Sequence, residues 1–453
     1  MKKASLLNDY LNRYAAGTPW KLQAGNLENI HQVVVIPAYA ERDLIFNTLA
    51  SIAANNDEAL EKSLILCVIN NKAAAAAVDK ENNSQTLAGL AALISKKSLN
   101  PFMDNNDLRD SLQTVADRPL RLGFLDASSP GLEIPPHVGG VGMARKIGMD
   151  MALRLLMNSG DGPRLILSLD ADTLVQSDYL STVRNVFTAG MAQTGIIAYK
   201  HQMPLDRIEQ MAICCYEIFL RYWVLGLQYA QSPYAFHSIG STIVTTADGY
   251  LAVRGMNRRE AGEDFYFLNK LAKTSPIRKI RETVVYPSAR VSKRVPFGTG
   301  AAIEKIVSGE RPGYNLYDPR IFSILKEWIA LMKQCFHQST DQIMARARDI
   351  DPGLGSFLVA RGFLSVWPKI RSNLKDQKTY IRQFHNWFDG FETLKLINYL
   401  TKEYYPRISL LPAVENILEL NNPGCPVDVP DRNIADQENL LRVLLYLRGL
   451  KET

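Results

Sequence analysis

Leu165–Thr173, LILSLDADT, is the stretch that decides how this chain is read. Leu165–Leu169 is a short apolar run without a helical period, and it stops abruptly at two carboxylates. A buried parallel strand ending at the functional edge of a sheet has that pattern. If the backbone stays extended beyond that edge, Asp170 and Asp172 share a face, because alternate side chains of a strand do. Two hard oxygen donors converging there suit Mn²⁺ or Mg²⁺ carrying a diphosphate. The competing reading is ordinary turn chemistry, with one aspartate capping a turn and the other solvated.

Working outward from this strand, the sequence alternates strand and helix signals. Gln32–Ile36 (QVVVI) is β-branched and short and reads as the first strand, followed by Pro37 and a helical spacing over Glu41–Ala54. Leu64–Ile69 reads as a second strand ending at Asn70 and Asn71, and Ser84–Ile94 as a helix. The Asn/Asp-rich stretch 100–107 has loop composition. Arg121–Leu125 reads as a third strand, and Val141–Met157 as the helix leading into LILSLDADT. This alternation predicts an α/β fold, an open and mostly parallel sheet with flanking helices that binds ligands at the C-terminal edge of its strands. From about Gly309 the strand signals stop. Asp318 and Pro319 form an N-cap and N1 pair, and Phe322, Leu325, Trp328, Ile329 and Met332 recur at helical spacing. An α-helical C-terminal region is expected, with a Pro/Gly-rich linker over 421–431. A final Leu-rich helix, 437–450, would dock on the domain or pair with another subunit in a homodimer.

Bulk composition narrows the function classes. The 453 residues are 47% hydrophobic and 22% charged, an ordinary globular balance. The net charge of +6 favours anionic ligands or an acidic membrane surface, and no dense Lys/Arg block points to nucleic acid. Five cysteines without zinc-ligand spacing suit a reducing, cytoplasmic setting. The N-terminus lacks an apolar run long enough for a secretory signal and reads as an exposed arm or short helix. No window of about twenty residues is free of charge, so no transmembrane span is expected, while peripheral membrane contact stays open. The most apolar window, Met211–Ala230, reads as a buried core helix in which Glu217 and Arg221 lie one turn apart and could pair.

Four segments in order, VVVIPAYAE (33–41), GGVGMARKIGMD (139–150), LSLDADT (167–173) and AGEDFYFLNKLA (261–272), resemble a family 2 glycosyltransferase of GT-A fold. The resemblance covers roughly residues 30–300. It implies a nucleotide-sugar half, 30–173, and an acceptor half, 174–308, placed between an N-terminal arm, 1–29, and a helical C-terminal domain, 309–453. It implies transfer of a sugar from a nucleotide-diphosphate sugar, UDP ahead of GDP, to an acceptor hydroxyl of unknown identity. Pro37, Ala38, Tyr39 and Glu41 would hold base and ribose. Ala40 stands where the family usually has Asn, and Asn70 where it commonly has Asp against the base. An amide oxygen can still accept from a ring N–H. Taken alone, Glu41 reads more readily as a first-turn acid favoured by the helix dipole.

Gly139, Gly140 and Gly142 would let the backbone approach a ligand, and Arg145 would bridge phosphate or sugar oxygens with its fork, while Lys146 can simply face water. Asp172, with Asp170 directly or through water, would hold the metal, and Ala171 lies between them against the donor. Asp264 is the expected base toward the acceptor hydroxyl, with Glu263 positioning it and inversion at the anomeric carbon as the outcome. Acids at a helix start are also where capping and the dipole would place them. His237 and Ser241 are candidate acceptor contacts, and Arg290 and Arg294 candidate lid cations over a diphosphate. Two other classes remain: a nucleotidyltransferase, although PAYAERD lacks the glycine loop such enzymes carry, and a non-catalytic sugar-nucleotide binder or scaffold in a polysaccharide-assembly complex.

Overall fold

The computed structural model describes residues 2–17, 19–99, 106–157, 162–190, 192–291, 298–308, 315–422 and 437–450. They divide into two units, one within Met1–Gln202, Ser238–Ala289 and Arg294–Gly298, the other within Met203–His237, Arg290–Lys293 and Thr299–Thr453.

The first unit is built on a nine-stranded sheet. Its strands are β1 (Leu22–Ala24), β2 (Gln32–Ala38), β3 (Ser63–Asn70), β4 (Arg121–Ala127), β5 (Leu165–Ser168), β6 (Leu174–Val175), β7 (Thr194–Tyr199), β8 (Ile243–Thr246) and β9 (Ile277–Tyr286). They lie in the order β1-β4-β3-β2-β5-β8-β7-β9-β6. The run β4-β3-β2-β5 is parallel, so Ala38, Asn70, Ala127 and Ser168 emerge along one edge. β2 and β3 are buried along their whole length, which is why VVVI and LILCVI are continuous apolar runs rather than alternating ones. The open parallel sheet read from the sequence is this half. Beyond β5 the pattern changes: β8 inserts antiparallel between β5 and β7, β7 and β9 pair in parallel, and β6 closes the edge antiparallel to β9. Strand-helix alternation in the sequence carries no signal for such an insertion.

Helices Arg42–Ala53, Ala77–Ile94 and Gly140–Met157 follow the strands as expected, the second beginning earlier than its apolar spacing suggests. Gly148 lets the last of these lie flush on the sheet, since a side chain there would overlap Val35 and meet Val68 at 2.9 Å. The polar stretch read as a loop runs at its end into a helix, Asn106–Ala116, which buries Leu108, Leu112 and Val115, spaced for one face. Residues 100–105 of that stretch lie outside the described residues.

Of the two expectations for the N-terminal segment, an exposed arm or a short helix, the structure gives the helix. Helix Lys2–Arg13 seats Tyr10, 2% exposed, on Asp150. The Asp150 carboxylate also accepts from the Tyr250 hydroxyl and the Ala16 N–H, each at 2.6 Å. Lys146, expected to face water, is buried instead and pairs with Asp150 at 3.2 Å. Four donors on one carboxylate satisfy a charge that burial would otherwise penalise.

The second unit is helical, apart from the short pair β10 (Asn315–Leu316) and β11 (Ile408–Ser409). Asp318 caps helix Pro319–Gln334 by accepting from the Arg320 N–H at 2.9 Å. The core is aromatic, with Trp328, Phe363, Trp367, Phe384 and Phe388 fully buried. Helix Arg207–Tyr229 belongs to this unit. Within it Glu217 pairs with Arg221 at 2.8 Å, and the same carboxylate takes Arg448 at 2.7 Å, which pins the final helix Gln437–Gly449. No helix among the described residues is long and apolar enough to cross a membrane. Cys67, Cys214, Cys215 and Cys335 are buried free thiols. Most of the Pro/Gly-rich linker, from 423, lies outside the described residues.

Candidate functional site

At the C-terminal edge of the parallel strands, the chain after β5 turns rather than staying extended, with the Thr173 N–H donating to the Asp170 carbonyl at 3.2 Å. The premise of a shared strand face for Asp170 and Asp172 therefore does not hold. The turn is pinned from three sides. Thr48 Oγ1 donates to the Ala171 carbonyl at 2.8 Å, Gln202 Nε2 donates to the Asp172 carbonyl at 3.0 Å, and Thr173 Oγ1 lies 3.0 Å from Ser241 Oγ. Asp172 is half-buried on this turn. The carboxylate of Asp170 accepts from Arg145 Nη2 and from the Ser241 hydroxyl.

Arg145 is the hub. Its side chain is 4% exposed, and its guanidinium donates to Ser168 Oγ, to Asp170 and, through Nε at 3.1 Å, to Glu263 Oε1. Gly240 makes room for it, because any side chain there would overlap Nη2. The guanidinium expected to face phosphate is thus turned onto protein acceptors. A cation this deeply buried needs partners, and the two acidic motifs supply them.

The glycines have a similar explanation. Side chains at Gly139 or Gly142 would overlap the Arg259 backbone, and the Gly139 N–H donates to the Arg258 carbonyl at 3.2 Å. The close approach that Gly139 and Gly142 permit is to the chain's own segment ahead of Glu263.

That segment ends at Gly262, a left-handed N-cap (φ +68°) for helix Glu263–Ala272 with no side-chain cap bond. Glu263, 6% exposed, does not cap the helix but meets Arg145. Asp264 accepts from the Phe265 N–H at 2.7 Å. Its carboxyl is pushed up to about 7, first by burial and next by the neighbouring Glu263 charge, with the Phe265 N–H and Arg145 pulling the other way. A carboxyl near neutrality can exchange a proton with a substrate hydroxyl under ordinary conditions.

The loop after β2 is held by helix Ala77–Ile94. The Tyr39 hydroxyl donates to Asp79 at 2.6 Å, the Ala40 N–H to Asn83 at 2.9 Å and the Arg42 N–H to Asn82 at 3.0 Å. Ala40 is left-handed (φ +52°), a conformation that Asn, the residue the resemblance leads one to expect there, tolerates better than Ala. Glu41 is buried at the start of the next helix without capping it. Pro37 and Ala38 end β2. Asn70 donates its amide to the Ala38 carbonyl at 2.9 Å and the Val68 carbonyl at 3.3 Å.

Sequence reasoning misses Asp79, Asn82, Asn83, Ser168 and Gln202. The run DKENN on a helix whose Asn83 is 1% exposed is the available signal for three of them. His237 is buried and, with Arg290, belongs to the second unit, and Arg294 lies outside the described residues. Among the described residues no three His, Cys, Asp or Glu side chains converge to hold a metal ion. Asp172, a hard oxygen donor on a fixed turn, fits Mg²⁺ or Mn²⁺ only as the type of ion that one or two carboxylates share with substrate phosphates and water.

No family model matches the chain, and no curated protein does. Solved structures it resembles include TarS residues 1–349 from S. aureus in complex with UDP-GlcNAc, at 11% identity and a TM-score of 0.34, covering 92% of each chain. The mannosyltransferase PcManGT from Pyrobaculum calidifontis, in complex with GDP-Man and Mn²⁺, gives 16% identity and a TM-score of 0.35 over 86% of this chain and 96% of that one. Likeness this shallow carries no functional conclusion, which must come from the residues themselves.

Proposed function

We propose that this chain is a GT-A-type, family 2-like glycosyltransferase that moves a sugar from a nucleotide-diphosphate donor to an acceptor hydroxyl with inversion. One observation carries the reading: Arg145 ties Asp170 of the DAD turn to Glu263 of the Glu-Asp pair, so the two acidic motifs occupy one buried network. Structural capping would need neither that tie nor the desolvated Asp264 beside it.

In this reading each residue has a distinct task. The loop Pro37–Glu41 and Asn70 receive the nucleoside. Asn70 donates to the two backbone carbonyls through its amide nitrogen, so its oxygen is the group offered to a base N–H, as in uracil or guanine, with UDP ahead of GDP. Asp172 would hold Mn²⁺ or Mg²⁺, which would supply positive charge toward the diphosphate of the donor. Asp170, occupied by Arg145 and Ser241, fixes the turn. Asp264 takes the proton of the attacking hydroxyl, and Glu263 and Arg145 set its position.

A second reading, a non-catalytic sugar-nucleotide binder, is favoured by the fact that Arg145 and Asp170 are satisfied within the protein. Product analysis with UDP- and GDP-sugar panels and Mn²⁺ separates the readings. Release of nucleoside diphosphate that stops in Asp264→Asn supports transfer. Sugar 1-phosphate with nucleoside monophosphate, from cleavage of the P–O–P bridge, would indicate nucleotidyl chemistry, and nucleotide binding without any product would leave the binder.

A further inference from the structure

Just ahead of Glu263, the segment Arg254–Gly262 (RGMNRREAG) carries three arginines and a single acid. The acid is taken, since Glu260 pairs with Lys72 at 2.5 Å. Among the described residues, none of the three guanidinium groups is paired with a carboxylate. Two lie on aromatic rings, Arg254 at 4.8 Å from the centre of Tyr14 and Arg259 at 3.5 Å from that of Tyr266. Arg258 donates to the Ala15 carbonyl at 3.2 Å. A guanidinium stacked on a ring keeps its in-plane N–H fork for an anion. All three side chains are exposed.

The placement is directed. Arg254 and Arg258 touch consecutive residues, Tyr14 and Ala15, while Arg259 sits on Tyr266 in the first turn of the helix that begins with Glu263 and Asp264. Arg254 is held in the left-handed region (φ +58°), beside Gly255 at +68°. A side chain is costly there, and glycine or asparagine would relieve it. Three exposed arginines in six residues, with no carboxylate partner among the described residues, concentrate positive charge on this segment.

We propose that Arg254, Arg258 and Arg259 form a strip that binds a phosphate-bearing acceptor at the approach to Asp264. Three uncompensated cations exceed what one carboxylate can neutralise and suit a phosphate monoester or a chain of phosphodiesters. The proposal rests on the transferase reading, since it takes Asp264 to mark the acceptor side.

The test uses the full chain at low ionic strength. Inorganic phosphate, glycerol 3-phosphate and uncharged glycerol are titrated calorimetrically, with and without saturating UDP or GDP and Mn²⁺. Wild type should bind both phosphates but not glycerol, with the nucleotide present. The variant Arg254→Gln/Arg258→Gln/Arg259→Gln should bind them at least tenfold more weakly while melting as a folded protein and binding nucleotide unchanged. Arg259→Lys, which keeps the charge, should retain most of the affinity. Equal phosphate binding by wild type and the triple variant, or none by wild type, overturns the proposal. Loss of nucleotide binding in wild type would sink the transferase reading instead. A sedimentation arm uses vesicles of phosphatidylcholine with 30 mol% phosphatidylglycerol, on the order of a natural acidic leaflet. Capture that depends on the three arginines while glycerol 3-phosphate does not bind assigns the strip to a membrane surface and overturns the acceptor role.

Discussion

Replacing Arg145 with Met should be among the most damaging single changes in the first unit. The substitution keeps length and apolar bulk but deletes the donors to Ser168, Asp170 and Glu263. The Glu263 side chain is 7% exposed, so its charge would be left buried without its partner, a loss of about 3–5 kcal/mol for a broken buried pair. Asp170 is 35% exposed on its side chain, and water screens that arm, so it adds about 0.5 kcal/mol. The sum, about 4 kcal/mol, corresponds to a fall of roughly 10 °C in melting temperature at about 2–4 °C per kcal/mol for a unit of this size. Differential scanning calorimetry resolves the transition, and Arg145→Lys should recover only part of it, because an ammonium cannot reproduce a fork reaching three acceptors. A loss below about 1 kcal/mol in Arg145→Met would refute the claim that this guanidinium holds the two acidic motifs together.

Other expectations follow from the same geometry. Because the Asp264 carboxyl is raised in the folded state to about 7, its contribution to stability is fully present below the ordinary aspartate value and is lost as pH rises through about 7. The distance between those two values sets a ceiling of about 4 kcal/mol, so Asp264→Asn should flatten the decline in stability between about pH 4 and pH 7 in denaturant titrations. Turnover by wild type should rise through the same region as the base ionises, and Asp264→Asn should lose about 10²- to 10⁴-fold in rate. Gly142→Ala should destabilise by about 1–3 kcal/mol, seen as a lower urea midpoint, since the new methyl overlaps the Arg259 carbonyl. Ala40→Gly should stabilise by about 0.5–1 kcal/mol in the same measurement, as relief of the left-handed backbone outweighs the added freedom of the unfolded chain.

What the sequence reveals and what it hides divide along the range of the interactions. β2, β3 and β5 are legible because strands buried on both faces must be apolar throughout, and Asp318-Pro319 is legible because a cap is a local bond. The pairing of β8 between β5 and β7 is not, since strand order is set by contacts distant in sequence. Composition points to the acidic motifs, but not to their relation with Arg145. Nothing in ARK tells that Arg145 turns onto Asp170 and Glu263 while Lys146, one residue on, turns to Asp150 and Tyr10. Glycine spacing signals a close approach but not its partner, because a missing side chain does not say that the Arg259 backbone lies against it. The Lys2–Arg13 segment reads as an exposed arm or short helix, and its docking is not legible, because its deep anchor, Tyr10, has no periodic companions strong enough to mark a buried face.

The most direct measurement is calorimetric binding of UDP and GDP to wild type and Asp172→Ala, each with Mn²⁺, Mg²⁺ or EDTA. A nucleotide-binding, metal-dependent transferase predicts micromolar-range affinity for one of the two, lost in EDTA and lost in Asp172→Ala while the variant melts normally. Absence of binding to a folded wild-type sample under every metal condition, or binding indifferent to both metal and Asp172, would contradict it.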